Sequence, residues 1–175
     1  MTKYLAFILL FFFLKDSTAK VDPPNYDFSV DKFQLFMPGK SLTDIEKVYK
    51  TKELVFKQNQ FKTYKFFVEH IRYRFPIFVQ FKGDTVTDFH ARLPAYFLHD
   101  VFHQSLINRL GKQDLYKKID EQAVYIWKNK SGNKHIYSGG CSITCYPIFY
   151  AVKPVEHQNG SGYESLLEKF QNKKL

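Results

Sequence analysis

The sequence predicts an α+β fold in which a small antiparallel sheet packs against a helical hairpin. Residues 61–81 alternate apolar and polar side chains with the period of a strand. Residues 94–128 place apolar side chains at helical spacing instead, in two segments joined by about four residues, a link short enough to make two helices antiparallel neighbours. The chain is 18% aromatic, with 19 Phe and 12 Tyr, which indicates a packed globular body.

The N-terminus has the pattern of a cleaved signal peptide. Lys3 precedes an uninterrupted apolar run from Leu5 to Leu14, and Ser17 and Ala19 supply the small residues that signal peptidase prefers. The run is shorter than the about 20 residues needed to span a bilayer. We therefore predict a signal peptide over residues 1–19 and a secreted or periplasmic monomer with no membrane span in its mature chain.

The remaining chain divides into three parts. Residues 20–52 form an extended leader with a short helix that begins near Ser41. Residues 53–155 form the α+β core domain, with the antiparallel sheet over roughly 53–90. Residues 156–175 are predicted to be a linker followed by a short Lys-rich helix.

Basic side chains follow one face of the predicted sheet. Arg72, Arg74 and Lys82 occupy alternate positions in the stretch from 70 to 82, so they share a face. Basic and aromatic groups on one face bind anionic polymers, although a merely solvent-exposed face carries the same pattern. Pro76 predicts an edge strand or a bend.

The helical hairpin carries the candidate site. Pro94 suits the first turn of the first helix and Gly111 its end. His99 and His103 are four residues apart, so they share one face, with Cβ atoms about 5–6 Å apart. Both border the apolar stripe of that helix, and the short link brings Asp120 of the predicted second helix within about one turn of His103.

Three interpretations of this constellation are open. In one, His99 or His103 is a general base that activates water, and Asp120 or Asp100 orients it. In another, the two histidines and Asp120 or Asp88 bind a divalent metal ion and leave one position for water. In the third, the histidines are hydrogen-bonded core residues. The sequence contains no GxSxG, GxxxxGK, HExxH or GxGxxG motif.

Cys141 and Cys145 are the only cysteines, and in an exported protein two cysteines suggest a disulfide. A four-residue separation spans about 13 Å on a strand, too far for a bridge. We therefore predict a bridge only if this segment turns or is helical.

The net charge of +9 limits the classes of partner. Outside the cytoplasm it favours an anionic surface, lipid or glycan, and we expect no specific nucleic acid. A solvated Lys-rich surface is the alternative.

Several features of residues 70–152 resemble the phage-associated domain of unknown function 1353 family. That family combines a Thr-Asp-x-Ala-Ser-x-Pro segment, a helix with His-Asp, and a later helix with a basic residue shortly before an Asp. Here the first segment reads Thr-Asp-Phe-His-Ala-Arg-Leu-Pro, one residue longer and without the Ser. The corresponding residues are Thr87, Asp88, Pro94, His99, Asp100 and Asp120. The resemblance implies no particular activity.

These observations predict a small hydrolase-like domain that uses His99, His103 and Asp120 on an anionic envelope or lipid substrate. The alternative is a non-catalytic basic secreted or periplasmic binding protein with structural core histidines. Such a protein would use Arg72, Arg74 and Lys82 to hold its partner.

Overall fold

The computed structural model describes residues 28–70, 73–94, 99–119, 122–139, 148–156 and 162–172. Several sequence predictions lie outside these ranges: the signal peptide over 1–19, Arg72, Asp120, Cys141 and Cys145. Within the described ranges, no helix is both long and apolar enough to cross a bilayer.

A single sheet of eight antiparallel strands dominates the molecule, in the order β1-β2-β3-β4-β8-β7-β6-β5. Each half of the chain forms a four-stranded meander, and the two meanders join where β4 pairs with β8. The strands are β1 (Glu53–Gln58), β2 (Phe61–His70), β3 (Tyr73–Lys82), β4 (Thr85–Arg92), β5 (Leu115–Ile119), β6 (Gln122–Lys130), β7 (Asn133–Gly139) and β8 (Phe149–Pro154).

Helices take a smaller share of the described chain, 26% against 49% for strands. They are a 3-10 helix (Val30–Phe36), α1 (Leu42–Val48), α2 (His99–Leu110) and α3 (Leu166–Gln171). Ser41 caps α1 by accepting a hydrogen bond from the Asp44 backbone N–H at 3.0 Å. Gly111 follows α2 with a φ of +78°, the left-handed conformation that ends helices.

The predicted α+β fold with a helical hairpin is wrong, because the second helix does not exist. Residues 115–130 form the β5–β6 hairpin instead, with Tyr116 paired to Tyr125. Asp114, just before β5, accepts a hydrogen bond from the Lys128 backbone N–H at 2.7 Å. β-branched and aromatic side chains from Val124 to Trp127 favour a strand over a helix, and this preference prevails over the weaker helical spacing.

One face of the sheet carries the main core, which is largely aromatic. Phe33 of the 3-10 helix stacks on Phe89 at 5.9 Å and meets Phe102 of α2 and Tyr150 of β8 edge to face. Such offset and edge-to-face ring pairs add to the free energy gained from burying apolar area. The 3-10 helix and α2 therefore cover the same face of the sheet.

The short helix α3 packs on the opposite face, over β3 and β4. Its Phe170 ring lies 5.0 Å from Phe78 and 4.4 Å from His90. Because side chains alternate along a strand, His90 and Asp88 of β4 face α3, whereas Phe89 faces the main core.

Pro76 does not mark an edge strand. β3 pairs with both β2 and β4, and Pro76 lies opposite Phe67 of β2, one residue before the pairing with β4 begins at Ile77. The missing N–H of proline is tolerated at this position, where β3 has no partner on its second side.

Candidate functional site

A row of four tyrosines crosses the C-terminal half of the sheet on the main-core face. Tyr116, Tyr125, Tyr137 and Tyr150 are direct cross-strand partners on β5, β6, β7 and β8. Tyr150 and Tyr137 are buried, whereas Tyr116 at the sheet edge is 52% exposed. This tyrosine row thus runs from the core to the surface.

His99 and His103 of α2 pack on the middle of the tyrosine row. The His99 ring is centred 5.6 Å from Tyr137, with its Nδ1 atom 2.9 Å from the Tyr137 hydroxyl oxygen. The His103 ring is centred 4.0 Å from Tyr125. The two imidazoles stack at 5.7 Å with 10° between their planes, so they share a face of the helix, as their spacing predicts.

Gly139 makes the contact between His99 and Tyr137 sterically feasible. A Cβ atom at this position would overlap the Tyr137 hydroxyl group and lie 3.0 Å from His99 Nδ1. Glycine is the residue that allows such close approach of a side chain to the backbone.

The surroundings of both histidines favour the neutral form of the ring. Burial lowers the pKa of His99, and Asp100 offsets only part of this effect. Burial also lowers the pKa of His103, and the neighbouring His99 adds to the effect while Asp100 opposes it. His103 Nε2 is buried and has no hydrogen-bond partner among the described residues. In the neutral form the pair can accept protons or ligate a metal.

The structure does not place all of the predicted carboxylates beside the histidines. Asp100 Oδ1 lies 3.8 Å from His99 Nε2, but its side chain is fully exposed. Asp88 lies on the opposite face of the sheet, where it accepts a hydrogen bond from the Leu166 backbone N–H. Asp120 was predicted to lie beside His103 because it would belong to a second helix. That prediction loses its basis, because β5 and β6 take the place of the second helix.

Among the residues that the structure describes, a metal ion at this site would have two ligands, His99 and His103. Within the described ranges, no group of three or more His, Cys, Asp or Glu side chains is placed to hold a metal ion. Since protein zinc sites use three or four protein ligands, a third ligand is needed beyond His99 and His103. The predicted third ligand Asp88 is separated from them by the sheet.

A narrow crevice leads to His99 from the end of β4. It reaches His99 and Tyr137 past Leu93 and Ile148. Its other lining groups, Phe28, Pro94 and Phe102, are apolar. The crevice has no room for a water-sized molecule, whereas typical ligand pockets have volumes of roughly 300–1,000 Å³.

The predicted anion-binding residues lie far apart and are partly neutralised. Arg74 stacks on Phe67 at 4.2 Å and lies 3.8 Å from Glu69. It borders a cleft of about 420 Å³, whose Lys65 pairs with Glu53. Lys82 is exposed at the other end of β3, roughly 26 Å away at strand spacing.

Four lysines that sequence reasoning did not select cluster on the α3 face of the sheet. Lys134 and Lys153 are direct cross-strand partners on β7 and β8. Burial lowers the pKa of Lys134, and the charges of Lys153, Lys117 and Lys128 lower it further, against a weaker opposite effect of Glu168. We call Lys117, Lys128, Lys134 and Lys153 the lysine face. They lie one on each of β5, β6, β7 and β8, so they could be selected only if residues 115–130 were assigned to strands and the strand order were known.

Comparison of the chain with protein-family models, curated protein sequences and solved structures returned no match in any of the three. The resemblance to the domain of unknown function 1353 family therefore stays a prediction. The functional argument rests on the geometry described above.

Proposed function

We propose that the protein is a basic, exported, non-catalytic binding protein whose partner is anionic. The observation that carries this proposal is the lysine face, in which Lys134 lies directly opposite Lys153, and of the four lysines only Lys153 has a carboxylate partner among the described residues. Like charges in this position destabilise a sheet. A bound anion would remove that cost, so the arrangement suits a protein that is completed by an anionic partner.

The environment of the histidines supports a structural role for them. His99 and His103 lie in surroundings that favour the neutral ring, and they are half-buried and stacked on Tyr125 and Tyr137. Among the described residues, the one carboxylate near them is the fully exposed Asp100. Aromatic packing of this kind stabilises the contact between α2 and the sheet.

Binding to anionic probes in a salt series tests this proposal. The wild-type chain is expected to bind polyphosphate and vesicles containing phosphatidylglycerol at low salt, and to lose affinity as salt screens its charges. His103→Ala is expected to lower the free energy of unfolding while leaving affinity within about twofold. Absence of binding to every anionic probe at low salt would contradict the proposal.

A second candidate, a hydrolase, is favoured by the arrangement around His99. The side chain is 22% exposed, and its Nδ1 atom is fixed by the Tyr137 hydroxyl group. In the tautomer in which Nδ1–H donates to Tyr137, Nε2 carries a free electron pair. That nitrogen can take a proton from water as the resulting hydroxide attacks an ester carbonyl.

Release of fatty acid from phosphatidylglycerol vesicles distinguishes the two candidates. A hydrolase would lose at least about a hundredfold in rate in His99→Ala, and Tyr137→Phe would shift its pH profile. If the wild-type chain binds the vesicles without releasing fatty acid, the hydrolase candidate fails and the binding function stands.

A further inference from the structure

We propose that the lysine face and the aliphatic stripe beside it dock the protein on an anionic phospholipid surface. This inference rests on the proposed binding function and specifies its site and its partner. The stripe consists of Leu115 and Ile126, cross-strand partners on β5 and β6, and the buried Ile136 continues the same row on β7.

The lysine face is short of compensating charge. Lys153 forms an ion pair with Glu168 of α3 at 2.8 Å. In the described part of the chain, Lys117, Lys128 and Lys134 form no ion pair with any carboxylate. Asp114 accepts a hydrogen bond from the backbone of Lys128 rather than pairing with its ammonium group. The face therefore keeps an excess of positive charge.

This part of the sheet is accessible because α3 covers a different part. α3 packs on β3 and β4, and its Glu168 reaches β8 through Lys153. Lys117 and Lys128 are exposed, and Leu115, Val124 and Ile126 are half-buried. The open half of this face thus presents charged and aliphatic side chains together.

The aliphatic stripe favours a membrane over a soluble polyanion. Lys134 precedes Ile136 on β7, and Lys128 follows Ile126 on β6, so the cations lie in the row next to the aliphatic side chains. Lysine stems extend over apolar surface while their ammonium groups reach the phosphates. Aliphatic groups can then enter the boundary between headgroups and acyl chains. A soluble polyanion would need only the lysines for binding and would gain nothing from the aliphatic side chains.

Vesicle sedimentation tests the docking site. The chain that begins at Lys20 keeps every described element and avoids membrane binding by the apolar N-terminal run. It is expected to bind vesicles of phosphatidylcholine with phosphatidylglycerol and not vesicles of phosphatidylcholine alone. Each surface lysine contributes about fivefold to binding of anionic lipid, so K117Q/K128Q/K134Q should bind roughly a hundredfold more weakly. The pair K117Q/K128Q, at two exposed positions, serves as a second variant if the triple variant does not fold.

The matched control, K32Q/K40Q/K50Q, removes the same charge from exposed lysines that lie outside the sheet. The affinity of this control variant for the vesicles should fall by less than about fivefold, since only the long-range electrostatic attraction is reduced. Leu115→Ser should weaken binding to vesicles and leave binding to polyphosphate unchanged.

Each contrary result identifies the failed step. If the wild-type chain binds no anionic probe, the proposed function fails. If it binds the vesicles and both triple variants lose affinity equally, the docking site is wrong although the function stands. If it binds polyphosphate but not the vesicles, a polyanion is the partner and the membrane inference is overturned.

Discussion

At the scale of single residues, Asp88 shows how much of this protein depends on one buried carboxylate. Its oxygens accept hydrogen bonds from the Leu166 backbone N–H at 2.6 Å, Gln80 Nε2 at 2.8 Å and the Thr87 hydroxyl at 2.9 Å. Lys169 donates to Gln80 from the other side. Desolvation nevertheless raises the pKa of Asp88 to about 6, against the lowering effect of these hydrogen bonds. The carboxylate holds α3 on the sheet at a cost in solvation.

We predict that Asp88 stabilises the folded state more at acidic than at neutral pH. A group whose pKa is raised on folding binds its proton more tightly in the native state, so its contribution grows as the pH falls through 6. The difference in unfolding free energy between wild type and Asp88→Asn should rise by about 1.4 kcal/mol from about pH 7.5 to about pH 5. Urea unfolding at the two pH values measures it, with Asp84→Asn as the exposed control.

The difference between variants is the informative quantity, because the histidines act in the opposite direction. Burial lowers the pKa of His90 to about 3 and of His135 to about 4. Their contribution to stability is present above pH 6.5 and is lost as the pH falls. The stability of the wild type alone therefore decreases in acid even if Asp88 behaves as expected. An equal pH dependence in wild type and Asp88→Asn would contradict the prediction.

At the scale of elements, local patterns predicted some segments and failed at others for identifiable reasons. The strand pattern predicted over residues 61–81 is confirmed at 61–70 and 73–81, and the predicted end of α2 before Gly111 is also confirmed. Residues 115–130 carry apolar side chains on both faces of a hairpin, so their spacing also matches a helix. The position of β8 in the sheet could not be predicted. Its partner β4 is distant in sequence, and local patterns do not give the order of the strands that would place β8 beside β7.

The candidate site, like the strands and helices, could be predicted only in part. The helical spacing correctly places His99 and His103 on one face of α2. Their contacts Tyr125 and Tyr137 depend on the pairing of β6 with β7, which local periodicity does not specify. Site residues that share one helix or strand can thus be predicted from the sequence, whereas contacts between elements can be predicted only if the strand order is known.

We predict that Gly111→Ala destabilises the protein by about 1 kcal/mol. The φ of Gly111 is +78°, and a Cβ atom there would contact nothing within 4 Å. The cost therefore comes from backbone strain alone. Thermal unfolding measures it, with the neighbouring exposed Lys112→Ala as control, and equal melting temperatures for the two variants would exclude this explanation.

At the scale of the whole molecule, the sheet order makes folding dependent on distant contacts. β4 and β8 are neighbours at the centre of the sheet, although α2 and three strands separate them in the chain. Sheets rich in such pairings fold slowly, because the entropy of loop closure is lost before the contacts form.

We therefore predict refolding from urea in the range of roughly milliseconds to seconds, not microseconds. Trp127 is the only tryptophan, and it is buried on β6 with its indole N–H donating to the Gly111 carbonyl. Its fluorescence after stopped-flow dilution reports closure of the C-terminal half. Val152→Ala, on β8 opposite Phe89 of β4, should speed unfolding, and Leu54→Ala on the edge strand β1 serves as the exposed control.

The central position of β8 also bears on how the protein is made. A ribosome delivers this strand last among the eight, so until about residue 154 has emerged the growing chain holds the β1–β4 meander and three further strands, with unpaired edges at β4 and β7. The described sheet therefore stays open until β8 has emerged. The export that we propose for this protein would benefit from such a delay, because a chain that has not closed its sheet is easier to pass through a translocation channel.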